Sequence, residues 1–207
     1  MTTKFIEAYE TVNANIRKPI TFDLNQAASS TAGNGSVPSA VSAQVVATES
    51  GDGVIHQTLL TLTALAQAIA DATSWQGTKI YDFPAGRIHV LGVTATLTPT
   101  TTSAIATTIK SGVGGAVALG TTAATAVALA TTVVDLLPST VTVNSTVINV
   151  AAAAVTAVLA AAAVFDGTTT AKDVYLNSSV AAVDIDGDGT LAWSGTVLMT
   201  WVNLGDI

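Results

Sequence analysis

The sequence predicts an all-β fold, a β-sandwich, on three observations. Within residues 79–98, KIYDFPAGRIHVLGVTATLT, the stretch 87–98 alternates apolar and polar side chains with a period of two. The same alternation returns near the end of the chain, in residues 191–201. Between the two, the filler is Ala, Val, Thr and Gly, broken by glycine turns, a composition that can build closely spaced strands.

The first of these stretches has the firmest punctuation. Proline's ring disfavours a helical conformation at Phe83, so the chain enters Pro84 extended, and Ala85-Gly86 offers a turn from which a strand begins. Ile88 and Val90 alternate with Arg87 and His89, whereas beyond Gly92 the apolar set is Val93, Ala95 and Leu97, with Thr94, Thr96 and Thr98 opposite. The phase slips by one residue. Keeping one face buried through such a slip needs a bulge or bend, and glycine at 92 tolerates the backbone. The prediction is a long bent strand at the heart of the sandwich.

Taken from the start, residues 1–26 carry Phe5, Tyr9, Val12 and Ile16 at the spacing of an amphipathic helix that Pro19 would end. This segment reads either as a helix on the core or as an arm that docks on a neighbouring subunit. Residues 27–53, almost wholly Ala, Ser, Thr, Gly, Val and Asn, read as a linker. The domain division is therefore an N-terminal arm and linker over 1–53 and a sandwich over 54–207. VIHQTLLTLT (54–63) suits a strand; ALAQAIADAT (64–73) is ambiguous, because Ile55, Leu59, Leu62 and Ile69 would share one side of a helix. Strands are the reading adopted. Trp75-Gln76-Gly77-Thr78 reads as a turn.

After Pro99, residues 100–139 alternate Thr with small apolar residues and contain glycine breaks, which suits two or three short strands. Asn144-Ser145 is a weak hairpin tip, since neither residue is glycine. VINVAAAAVTAVLAAAAVF (147–165) has no charge and approaches the ~20 apolar residues of a membrane span. Alanine contributes little to insertion, Asn149 and Thr156 interrupt the run, and neither flank carries Lys or Arg anchors, so no membrane span is expected. Local propensity favours a helix here. Phe165-Asp166-Gly167 opens a turn, residues 172–176 form a strand, and residues 184–189 form an acidic turn. The last strand then places Leu191, Trp193, Val197, Met199 and Trp201 on one face and Ser194, Thr196 and Thr200 on the other. Its two tryptophans are expected to anchor the core rather than to form a ligand platform.

The chain's 207 residues allow one full-sized core plus an arm. Only 10% of the residues are charged, against about 25% in an average soluble domain. A surface so poor in charge suits permanent contacts in an assembly. The net charge of −7, with seven scattered Lys and Arg, opposes a nucleic-acid partner. Cysteine is absent, which excludes disulfides and thiolate metal sites. The N-terminus lacks the apolar core of a secretory signal.

Three phrases, KIYDFPAGRIHVLG, FDGTTTAKDVYLN and GTVLMTWVNLGDI, resemble those of tailed-bacteriophage structural proteins that decorate the capsid shell. The resemblance covers roughly residues 54–207 and rests on short β-strand phrases with no catalytic signature. It implies a sandwich of jelly-roll type and a strand reading for the alanine-rich run. It also implies a decoration (cement) protein that binds the outside of a head and adds no chemistry. The implied partner is the major capsid protein, the implied self-association a homotrimer or alternatively a dimer, and the location the virion, after assembly in the host cytoplasm. The rival reading is a receptor- or glycan-binding module of a head or tail fibre.

Residues able to carry chemistry are few. Asp184, Asp186 and Asp188, with Gly187 and Gly189, match the opening of a calcium loop, in which alternate carboxylates supply oxygen ligands. Gly195 stands where the closing bidentate glutamate would be needed, so a solvated hairpin turn is the stronger reading and a calcium site the weaker. His56 and His89 read as surface or interface residues. A pocket of Asp82, Arg87 and His89 would be the starting point for an enzyme, but no spacing supports it, no nucleophile elbow or phosphate loop occurs, and neither a catalytic role nor a cofactor is expected.

Overall fold

The computed structural model describes residues 35–51, 55–101, 116–141, 155–158, 163–167, 172–181 and 185–204. The N-terminal helix read at Phe5, Tyr9, Val12 and Ile16, the hairpin tip at Asn144-Ser145 and most of the alanine-rich run lie outside these residues.

Among the described residues, ten strands form two antiparallel sheets. They are β1 (Val45–Gly51), β2 (Ile55–Ile69), β3 (Trp75–Asp82), β4 (Gly86–Thr101), β5 (Ala116–Gly120), β6 (Leu137–Val141), β7 (Val155–Val158), β8 (Ala163–Gly167), β9 (Asp173–Ser179) and β10 (Gly189–Asn203). The larger sheet has the order β1-β2-β10-β4, and beyond β4 its far edge is taken by β7 at one end and β8 at the other. The smaller sheet has the order β3-β9-β5-β6. The all-β expectation holds, and the described parts of the alanine-rich run, β7 and β8, are strands.

Three sequence-based assignments need correcting. Residues 45–51, assigned by composition to a linker, are edge strand β1, paired with β2 from Val45↔Leu62 to Gly51↔His56. Trp75-Gln76-Gly77-Thr78 is the first half of β3 and pairs with Ser179 to Leu176 of β9. Residues 79–98 are consequently not one element: the chain leaves the smaller sheet at Asp82 and enters the larger one at Gly86, through Phe83-Pro84-Ala85. Gly77 reads as a turn residue, but it sits in a strand because another segment packs on it. A Cβ there would lie 2.7 Å from Ala123 Cα and 2.7 Å from Ala124 N.

The slip near Gly92 is a bulge. The β4–β10 register shifts between Thr200↔Gly92 and Trp201↔Val90, leaving Leu91 without an opposite residue. Ile88 and Val90 on one side of it and Val93, Ala95 and Leu97 on the other are thereby all buried. Glycine is not what permits the bulge: the φ of Gly92 lies outside the left-handed region and a Cβ there meets open space. β2 contains a second bulge, where the register against β10 shifts between Trp193↔Leu65 and Gly195↔Leu62. Ala64 takes a φ of 49° there and its N–H donates to Ser194 Oγ at 3.0 Å. Beyond that bulge the inward set moves from His56, Thr58, Leu60 and Leu62 to Leu65, Gln67 and Ile69. Ile55 and Leu59 are exposed, so the helical face drawn through them, Leu62 and Ile69 does not exist.

The core lies between the sheets. Leu60, Leu65, Ile69, Leu97, Trp193 and Trp201 of the larger sheet meet Ile80, Tyr81, Val117, Leu119, Val174 and Leu176 of the smaller. Tyr81 and Phe83 make an edge-on contact at 5.5 Å, Phe83 and Trp201 another at 5.4 Å, and His56 stacks on Trp201 at 4.0 Å. His56 is therefore a core residue, not the surface or interface residue that the sequence predicts.

Polar side chains cross this core with their partners in place. Gln67 Oε1 accepts from Trp193 Nε1 (2.9 Å) and from Ser178 Oγ, while its Nε2 donates to Leu176 O (2.8 Å) and Thr78 Oγ1 (3.1 Å). All four of its hydrogen-bonding positions are used, and they tie β2 to β10, β9 and β3.

Candidate interaction surface

Each sheet has one face on the core and one turned outward, and the two outward faces differ. On the smaller sheet, the row Gly77–Asn177–Ala118 is covered by residues 121–135. Asn177 is fully buried beneath that segment. Its Nδ2 donates to Thr122 O (3.0 Å) and Val133 O (2.9 Å), and its Oδ1 accepts from Ala124 N–H at 2.8 Å. Asp135 fixes the end of the segment by accepting from Thr121 N–H (2.8 Å) and Thr121 Oγ1 (2.7 Å). The alternating TTAATAVALATTV thus forms an irregular cover with one 3₁₀ turn (Thr131–Val133) instead of a further strand. Part of its backbone is satisfied by the Asn177 and Asp135 side chains, which periodicity cannot register.

The outward face of the larger sheet is open among the described residues. Its registers align side chains in rows across four strands. Val46, Thr61, Thr196 and Thr96 form one row, and Thr48, Leu59, Leu198 and Thr94 the next. Ser50, Gln57, Thr200 and Gly92 follow, and Ile55, Val202 and His89 lie beyond them. The β4 bulge adds Leu91 to this face. Val46 is 59% exposed, Leu91 49% and Leu59 37%. Four of the five large apolar side chains exposed among the described residues belong here: Val46, Ile55, Leu59 and Leu91. Across β1, β2, β10 and β4, Arg87, at one end, is the one Asp, Glu, Lys or Arg on the face, and its register partner in β8 is Asp166. Chemically it is a sheet of methyl and hydroxyl groups with an apolar stripe. It can bury area against another surface and accept or donate scattered hydrogen bonds.

Support for this face comes from beneath. Glu49 of β1 turns inward, where it accepts hydrogen bonds from Tyr81 Oη and from Thr58 Oγ1 at 2.8 Å. Trp201 Nε1 donates to Thr58 Oγ1 at 2.9 Å and Gly35 N–H to Tyr81 Oη at 3.1 Å. Burial pushes the Glu49 carboxyl above its ordinary range, against the opposing pull of the Tyr81 and Thr58 hydrogen bonds. Burial and the adjoining carboxylate raise the Tyr81 phenol.

The residues that sequence reading picked out are not brought together. Asp184 lies outside the described residues. Asp186 is exposed, and Asp188 Oδ1 accepts from Asp71 N–H at 3.0 Å, bracing the turn after β2. Among the described residues no group of three or more His, Asp and Glu side chains is placed to hold a metal. Asp82 belongs to the smaller sheet, where Lys79 Nζ meets its Oδ1 at 2.8 Å and Asp173 Oδ1 at 3.6 Å; Arg87 and His89 lie on the larger sheet. Tyr175 Oη donates to Asp173 Oδ2 at 3.1 Å. Burial and the hydrogen bond that a protonated Asp173 carboxyl donates to Asp82 raise the Asp173 carboxyl, and the hydrogen bond from Lys79 to Asp82 raises the Lys79 ammonium. Sequence reading overlooked Val46, Leu59 and Leu91. For Leu59 a signal existed: it has the parity opposite to Thr58, Leu60 and Leu62, and two adjacent leucines cannot both face inward on a strand.

No helix among the described residues is long and apolar enough to cross a membrane. Compared with protein-family models, with curated proteins and with solved structures, the chain matches none of them.

Proposed function

We propose that this protein is a structural component of a tailed-phage virion, a decoration protein that binds the outer surface of the capsid and stabilises it. The observation that carries the reading is the open face of the larger sheet: broad, nearly uncharged and holding most of the exposed large apolar side chains. Such a face is costly on a free monomer and suited to permanent burial. The three capsid-like phrases support the same reading. They fall on β3 and β4, on β8 and β9, and on β10, strands that pair with one another.

The jelly-roll form belongs to this proposal. It is supported by the way late strands return between early ones, β10 between β2 and β4 and β9 between β3 and β5, while β2, β3, β4 and β5 alternate sheets. The protein acts mechanically. Apolar area buried against the major capsid protein and against identical copies contributes about 25 cal/mol per Å², less the cost of association. The effect multiplies over the copies on a head. A closed homo-oligomer is part of the reading, a trimer at threefold positions or a dimer at twofold ones. The N-terminal arm would reach a neighbouring subunit. No catalysis, cofactor, nucleic acid or membrane is required. The fibre-module alternative calls for an exposed aromatic platform; among the described residues Trp193, Trp201, Tyr81 and Phe83 are buried.

The test is co-sedimentation of the purified protein with phage heads that lack it. Saturable binding in a fixed ratio to the major capsid protein, with a raised melting temperature of the heads, is the expected result. Absence of binding to intact heads would overturn the reading.

A further inference from the structure

We infer that the open face of the larger sheet is where two copies of this chain pair, sheet on sheet, about a twofold axis. The inference goes beyond the capsid reading and does not depend on it; it gives this face to the contact between identical copies, so that in the capsid reading the major capsid protein would be met by other surfaces of the pair.

Area is the first argument. Four strands about 4.8 Å apart, with about 3.4 Å per residue along the strands, give a face on the order of 900 Å² when the two central ones are as long as β2 and β10. Those two have 15 residues each. A stable interface of ordinary size takes about 800 Å² from each partner. One such face is therefore enough by itself.

Charge is the second argument, and it selects the occupant. Each copy carries −7, so two copies repel unless they meet where the acidic groups are absent. Asp71, Asp82, Asp173, Asp186 and Asp188 all lie off this face, on the turns after β2 and before β10 or on the smaller sheet. A basic partner would find no carboxylate on the face in β1, β2, β10 or β4 to pair with, whereas a second identical face brings charge only at the end where Arg87 and Asp166 are register partners, away from the apolar stripe. The apolar stripe makes the surface self-complementary. Leu59 and Leu198 are direct cross-strand neighbours near the middle of β2 and β10, so a twofold axis beside them lays leucine against leucine and threonine methyls against threonine methyls. Twisted sheets pack in this way with strands inclined at about 30° and backbones about 10 Å apart.

Sedimentation velocity of the full chain at micromolar concentration tests the inference. The expected mass is twice the chain's 20.7 kDa, and the double variant Val46→Lys with Leu59→Lys is expected to sediment as a monomer with an unchanged far-UV spectrum. Because the chain has no cysteine, single thiols give an independent readout that leaves the stripe intact. Thr196→Cys, two residues along β10 from Leu198, is expected to be joined to its copy by a flexible bis-maleimide cross-linker. Ala128→Cys, in the cover of the other sheet, is expected not to be. A wild-type monomer, a trimer, a dimer indifferent to the two lysines, or equal cross-linking of both thiols would each overturn the pairing; should the double variant misfold, the thiol pair decides. Head binding separates the two readings. A monomer that still binds heads removes the pairing and leaves decoration standing, and a dimer that binds no head does the reverse.

Discussion

Glu49 occupies a position where titration and packing are joined. Its carboxylate accepts from Tyr81 and Thr58, and through Thr58 it reaches Trp201. Burial raises its pKa above the ordinary 4.5. A carboxyl that binds its proton more tightly when folded contributes its full stability below about 4.5, loses it as the pH rises through the folded value, and contributes least above that. Wild type is therefore expected to lose stability relative to Glu49→Gln as pH rises from 4 to 7. The group is partly exposed and screened, so the gap in melting temperature should reach only about 2 °C; thermal melts of both proteins across that range check it. A gap that narrows with rising pH would refute the assignment. Some of this residue-level detail was legible. Trp193 and Trp201 declared themselves as core by sharing a face with Leu191, Val197 and Met199. His56 did not, although it has the parity of Thr58, Leu60 and Leu62, because an imidazole is admitted to a core only by a partner such as Trp201, more than a hundred residues away. Asn177 was invisible for the same reason: what makes it structural is the backbone of residues 122, 124 and 133.

At the scale of the element, the two bulges explain why some strands could be read and others could not. In β4 the slip shows in the sequence because Thr and apolar residues exchange parity across Leu91 and Gly92. In β2 it is hidden, since Thr63 and Ala64 are both short and both tolerable outside, and the doubled leucines upstream mimic a helical face. Glycine, the obvious marker, points to the wrong place. Gly92 has room for a side chain, whereas Gly195, opposite the β2 bulge, has a φ of +135° and a backbone so close to Thr96 that a Cβ would strike its carbonyl oxygen. Gly195→Ala is expected to cost about 1–3 kcal/mol, and Gly92→Ala to leave stability unchanged or raise it by up to about 1 kcal/mol. Urea unfolding of the two variants checks the contrast, and equal effects would contradict the register described. That constraint also accounts for glycine at the position where a calcium loop would close with glutamate: the strand needs the backbone conformation more than the turn needs a ligand.

For the whole molecule, the sheets share one core and are tied by side chains that reach from one to the other, above all Gln67. Trp193 and Trp201 sit within that core, so tryptophan fluorescence and far-UV circular dichroism are expected to report a single coincident unfolding transition. Two separated transitions would mean that the sheets unfold independently. The fold class was legible because alternation and turn punctuation are local. The candidate surface was legible only as a composition, poor in charge and rich in threonine; which threonines and leucines stand side by side depends on strand pairings between residues far apart in the chain.

One such pairing bears on how the protein is made. β10 is the middle strand of the larger sheet, flanked along most of its length by β2 and β4, and Trp201 bonds Thr58 across 143 positions of sequence. It is also the last of the ten strands to leave the ribosome. Until it does, β2 and β4 have no common neighbour, both present open edges, and the indoles that fill the core have not been synthesised. The larger sheet therefore cannot close until β10 has been made, and β10 enters it as a late insertion, at the rate such distant contacts allow. During that interval the nascent chain is most exposed to pairing with its neighbours on the same message.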